Sequence, residues 1–189
     1  MTTPLPKAYQ WLHSVKELPN TIKLCIELHG IQEIVGKGSN RTIIGWRDEL
    51  NGASPAGKPI VSGFSDDDIA WCGLFAAVVC FRRLKKIEEV VKSPLWARNW
   101  AKYGVKTTKP ALGDALVFSR GSGGHVGFYV GEDSTAYHVF GGNQGNRVSI
   151  ARIAKDRLIA ARRPPYITTP AGAKPYRIAS TGKLSTNEA

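Results

Sequence analysis

Two residues of this chain have the types and settings that thiol chemistry needs. Cys72 stands at the expected start of a buried helix, and His125 stands at the mouth of an expected strand. The approach to the thiol reads Asp66, Asp67, Asp68, Ile69, Ala70, Trp71, and an apolar run follows from Gly73 to Phe81. Ser65 and the three acids are natural cap and first-turn residues, so the pattern predicts a helix that begins close to Cys72. A thiol there feels the positive end of the helix dipole and free backbone N–H groups. Both favour the thiolate, the form that attacks carbonyls.

The base side of the pattern is as specific. Gly121, Ser122, Gly123 and Gly124 predict a flexible run ending at His125, and Val126 to Val130 reads as a strand stopped by Gly131 and Glu132. A further strand expected over 136–140 runs into Gly141, Gly142, Asn143 and Gln144, which returns an amide side chain beside the first strand. A nucleophile, a base and an orienting group on three separate elements form the constellation expected for nucleophilic amide hydrolysis.

These residues need elements to hold them. Residues 1–30 predict two short helices parted by Pro19 and Asn20, and Ser39 with Asn40 predicts a cap for a helix over 41–50. The segment 51–63 is rich in Gly, Pro and Ser and reads as a loop. A helix is expected from Trp71 to about Val91, and Ser93–Pro94 opens another that Gly104 ends. From Pro110 the period changes, with strands expected over 115–118, 125–130, 136–140, 147–150 and 158–162. Helices first and an antiparallel sheet afterwards predict an α+β fold, thiol on a helix and imidazole on the sheet. The division expected is an N-terminal extension over 1–19, one domain over 20–165, and a flexible basic tail over 166–189 that carries Pro170 and Pro175 among Thr, Ser, Gly and Lys.

Composition narrows the class without choosing a partner. A hydrophobic share of 42% with five Trp in 189 residues argues for one folded core and against global disorder. The net charge of +11 predicts an anionic partner, for which nucleic acid, lipopolysaccharide phosphates and wall-polymer carboxylates all qualify. The three cysteines, Cys25, Cys72 and Cys80, form neither a disulfide framework nor a zinc-type pair, and Cys25 and Cys80 are expected as buried apolar thiols. No metal or cofactor is expected. His13 and His29 lie in the helical N-terminal region and are expected at the surface or in packing. The start lacks a basic and an apolar signal region, and no apolar run approaches the ~20 residues that span a bilayer. Synthesis in a cytoplasm without a signal peptide is the expectation.

With those elements in view, the chain resembles the cysteine peptidases of bacterial cell-wall metabolism, the NlpC-like and CHAP (cysteine, histidine-dependent amidohydrolase/peptidase) superfamily, in a phage and prophage subgroup. The resemblance rests on Gly30 with Glu33, Asp67 with Trp71 and Cys72, Gly113 with Asp114, His125 to Phe128, Gly141 to Gln144, and the closing Arg162, Arg163, Pro164, and it spans about residues 20–165. Each element is weak alone; the ordered set is specific. Two positions depart from the usual pattern, Ala70 in place of proline and Gly73 in place of Ser or Ala.

The resemblance implies a circularised papain-like α+β core, with N-terminal helices packed on an antiparallel sheet, that hydrolyses an amide of peptidoglycan. Carried over by position, Cys72 is the nucleophile and His125 the general base. Asn143 is favoured as the third residue, with His138 as the alternative, and Trp71, Asp67 and Gln144 are expected to contact substrate. The acids before Cys72 would welcome the free amine of diaminopimelate, which favours an endopeptidase over an N-acetylmuramoyl-L-alanine amidase. The expected protein is a monomeric phage-type endolysin without a membrane span. It would act on peptidoglycan in the periplasm after holin-type release or particle delivery, with lipopolysaccharide as a further contact for its basic surface. The rival expectation is a non-catalytic phage particle component that uses the same fold to grip wall or DNA.

Overall fold

A computed structural model describes residues 3–179, 182–186 and 188. Its order begins with a 3-10 helix, Lys7–Ser14, and the α-helices α1 (Asn20–Glu27), α2 (Arg41–Ala53) and α3 (Cys72–Leu84). Short 3-10 turns at Ile87–Glu89 and Ala97–Lys102 lead to strand β1 (Val105–Lys106). Then come β2 (Ala115–Arg120), β3 (Gly123–Glu132), β4 (Ala136–Gly141), β5 (Ser149–Ala154), β6 (Leu158–Arg163) and β7 (Leu184–Ser185). The sheet has seven strands in the order β1-β6-β2-β3-β4-β5-β7, antiparallel throughout except for the parallel pair β5–β7. The fold is α+β, with helices on a mixed sheet. Among the described residues no helix is long and apolar enough to cross a membrane.

Helix α3 is buried at every position from Cys72 to Cys80, which its sequence explains. A helix that is apolar all round has no solvent face and must lie inside. It packs against α1 and α2 on one side and β3 on the other. Tilted aromatic pairs weld that layer: Trp46 lies 6.0 Å from both Trp71 and Phe75, and Phe75 lies 6.3 Å from Phe128. Each such ring, removed from water, contributes about 2 kcal/mol. The thiol-bearing end of α3 is therefore fixed against the sheet by packing. Its far end stops at Lys85, which turns left-handed (φ 57°).

Several expected boundaries move. The cap of α2 is as expected, with the Asn40 side chain accepting the Thr42 N–H at 2.8 Å. Ser65 and the acids do not cap α3, however; its first flanking residue is Trp71, with no side-chain cap bond. The glycine run before His125 is not a loose entry either. Gly121 makes a tight turn (φ +51°), and Gly123 and Gly124 already pair with Arg120 and Ser119.

Both ends of the chain also depart from expectation. Leu5, Tyr9 and Leu12 are buried in the main core, so residues 3–19 are not an appendage. Of the segment 166–189, expected as a flexible tail, the described residues pack along the sheet. Trp11 and Tyr176 stack at 4.7 Å, Ile178 closes on Gly131, and β7 pairs with β5. The Tyr and Ile side chains supply the burial that the Pro-, Ser- and Lys-rich composition of this stretch concealed.

Candidate active site

The start of α3 brings Cys72 against the first residues of β3. The backbone N–H of Val126, the neighbour of His125, points at the sulfur, together with the N–H groups of Gly73 and Cys72 itself. Burial pushes the thiol up from its ordinary pKa, and these N–H groups and the Arg120 guanidinium pull the other way. Cys72 is 2% exposed and His125 fully buried, so the pair is closed off from solvent.

The imidazole is held by one partner. His125 Nε2 lies 3.0 Å from Gln144 Oε1. The orientation of that amide is not ambiguous, because Gln144 Nε2 donates to the carbonyls of Val139 at 3.1 Å and Ser149 at 2.6 Å. The amide oxygen must then face the ring, and as an acceptor it fixes the hydrogen on His125 Nε2. The other nitrogen, Nδ1, is left with its lone pair, buried and without a hydrogen-bond partner among the described residues. A histidine in that tautomer is a proton acceptor at Nδ1. Burial lowers the imidazole to about 4, against upward pulls from Glu188 and Gln144, so at neutral pH it is in the accepting form.

Two glycines make this arrangement possible. A Cβ on Gly141 would fall 2.8 Å from Gln144 Oε1 and 3.2 Å from His125 Nε2, inside the bond itself. One on Gly73 would fall 2.2 Å from the Pro94 carbonyl oxygen. The absence of Ser or Ala after the thiol is thus a packing requirement of this chain, in which the Pro94–Leu95 backbone presses on the first turn of α3.

The two residues expected to orient the base do other work. Asn143 adopts a left-handed backbone (φ 55°), which turns the chain so that the next residue, Gln144, reaches the ring. Both ring nitrogens of His138 are engaged elsewhere, Nδ1 with the Tyr9 hydroxyl at 2.7 Å and Nε2 with Asp133 at 3.1 Å. Neither nitrogen is left for His125.

The expected substrate contacts are likewise turned inward. Trp71 is fully buried and its Nε1 donates to Glu33 at 2.7 Å. Asp67 is fully buried, and its Oδ2 accepts the N–H groups of Ile34 at 3.1 Å and Asn40 at 2.7 Å. These two tie the 33–40 loop to the approach to Cys72, and Gln144 fixes the His125 ring. Among the described residues Asp66, Asp67 and Asp68 could offer carboxylate oxygens to a cation, all within 4.8 Å of one another. As expected of packing residues, His29 is buried with Nδ1 donating to the Thr3 carbonyl at 2.8 Å, and Cys25 and Cys80 are buried free thiols.

Sequence reasoning missed three groups around the pair. Arg120, at the end of β2, has a buried Nη1 with no hydrogen-bond partner, and its charge acts on both Cys72 and His125. Arg157 holds Glu188 in a two-pronged ion pair, and Glu188 is buried beside the imidazole. No local pattern announces them, since Glu188 lies 31 residues from Arg157 along the chain. No family model matches the sequence, and no curated protein or solved structure is significantly similar to it.

Proposed function

We propose that this protein is a cysteine-dependent peptidoglycan hydrolase with a papain-like core. The observation that carries the proposal is the set of contacts around His125. Gln144 fixes the proton on Nε2, Nδ1 is left as a buried free base, and the next backbone N–H meets the Cys72 sulfur at a helix start. In the reaction Nδ1 takes the thiol proton and the sulfur attacks the amide carbonyl. The imidazolium then protonates the leaving amine, and water, activated by the same nitrogen, hydrolyses the thioester. On this reading the Cys72 N–H donates to the oxyanion. Gln144 stabilises the ring in one tautomer throughout, the part that a third residue has in such sites.

The substrate follows from the resemblance and the charge. A cationic chain of +11 suits an acidic wall polymer, and a lipopolysaccharide surface offers it a second anionic contact. Cleavage next to diaminopimelate in the stem peptide is the favoured bond, with Asp68 the exposed acid of the turn before Cys72. Delivery to the wall as a phage-type lysin, by a holin or with the particle, completes the proposal. Purified protein should release soluble fragments from wall sacculi, and Cys72→Ala should lose at least ~100-fold in rate. Undiminished release by that variant would end the proposal, and the masses of fragments from defined muropeptides would separate an endopeptidase from an amidase.

One observation favours a second reading, a binding component without turnover: the pair is shut off from solvent, and burial raises the thiol pKa. On that reading the protein binds sacculi or DNA with an affinity that falls steeply in salt and releases nothing.

A further inference from the structure

A buried acid of the chain itself, Glu188, lies beside His125, and the way it is held points to what belongs there. Arg157 reaches Glu188 with two parallel bonds, Nη1 to Oε1 and Nη2 to Oε2, each 2.8 Å. This fork is the arrangement by which a guanidinium recognises a carboxylate. Its orientation does not depend on Glu188, because Nε and Nη2 of Arg157 also donate to the Ser119 carbonyl at 3.0 and 2.8 Å. Next to Ser119 stands Arg120, whose buried Nη1 has no hydrogen-bond partner among the described residues. Two cations thus act on the imidazole, and the Glu188 carboxylate pairs with one of them, Arg157.

Glu188 also accepts a side-chain hydrogen bond from Ser185. Its backbone oxygen accepts the N–H of Gly145, the residue after Gln144, at 3.0 Å. The strand that leads to it, β7, pairs with β5 over only two residues, in parallel. A two-residue pairing, one ion pair and single bonds to the carbonyls of Gly182, Ser185 and Glu188 form a short attachment that a competing ligand can displace.

Resting on the hydrolase reading above, we propose that Arg157 and Arg120 form a carboxylate-recognition subsite beside His125, filled in the resting protein by Glu188 and in the working protein by a free carboxylate of the substrate peptide. The substrate class is then an acidic peptide with a carboxylate near the scissile amide. Binding exchanges one carboxylate for another, which lifts the β7 segment and opens the catalytic pair only when an acidic peptide is at hand.

The test uses the full chain and needs no hydrolysis. Cys72 in the wild type should react slowly with iodoacetamide, and in Glu188→Ala at least ~10-fold faster. Cys25 and Cys80, read in the same mass spectra, should stay unreactive and so report an intact fold. Glutarate should protect Cys72 in Glu188→Ala and bind it calorimetrically, and the added change Arg157→Met should abolish both effects. Glu188→Gln serves the same purpose should the alanine variant fail to fold, since it keeps the shape and removes the charge. Equal alkylation of wild type and both Glu188 variants, or glutarate binding that ignores Arg157, would overturn the subsite. A subsite that passes in a protein that releases nothing from sacculi would leave it standing and overturn the hydrolase reading instead.

Discussion

Acidification should weaken this protein through His125. The imidazole is fully buried and neutral, lowered by that burial from 6.5 to about 4 in the folded chain. An unfolded chain takes up the proton near 6.5, so between 6.5 and about 4 the unfolded state binds more protons than the folded one. Stability is therefore full above pH 6.5 and is lost progressively as pH falls through about 4. At about 1.4 kcal/mol per pH unit, the gap amounts to a loss of about 3 kcal/mol. Asp133 adds acid sensitivity of its own: burial raises it, but bonds from Thr135, Arg152 and His138 outweigh that and hold it below the usual carboxylate range. A comparison with His125→Gln removes that background, since the amide still donates to Gln144 but does not titrate. Urea unfolding at pH 7.5 and pH 4 should show the wild type losing about 3 kcal/mol more than the variant. An equal loss in both, or an NMR titration midpoint for His125 near 6.5, would refute the reasoning.

Other residues give independent checks. Gln144→Leu should lower kcat on wall fragments by at least ~10-fold with KM little changed, and nitrogen NMR should show the His125 tautomers mixed. Gly73→Ser should destabilise the fold by about 1–3 kcal/mol in denaturant, because its Cβ would fall 2.2 Å from the Pro94 carbonyl. Asp67→Ala should lose about 2–3 kcal/mol, since the N–H groups of Ile34 and Asn40 lose their acceptor. It should leave the reactivity of a refolded Cys72 close to that of the wild type.

Much of the framework was legible in the chain because it depends on near neighbours. The unbroken apolar run after Cys72 required an interior helix, and α3 is buried from its first residue to Cys80. Asn40 read as a cap and caps, since the bond joins residues two apart. Alternation and turn residues after Pro110 located β2 to β6, with shifts of a few positions at the ends. The helix–strand setting of Cys72 and His125 follows from the same local rules.

The partner of the imidazole was another matter. Asn143 and Gln144 differ by one position in the bend that follows β4, and amides of either kind suit the task. The choice fell to Gln144 through the left-handed backbone of Asn143 and the missing Cβ of Gly141, with two carbonyls from β4 and β5 fixing the amide. The same holds for the last residues of the chain, whose polar composition reads as unstructured. The described ones are held by what they meet: the open edge of β5, the Arg152 side chain that donates to the Gly182 carbonyl at 2.6 Å, and Arg157.

The sequence by itself determined which residues can do thiol chemistry and which kind of element carries each, because propensity and periodicity act over a few positions. Only the tertiary structure decided which nitrogen of His125 keeps a free lone pair, that burial keeps the imidazole neutral, and that Glu188 pairs with Arg157 beside it. Those outcomes depend on desolvation and on charges brought together across the chain, and neither has a local signature.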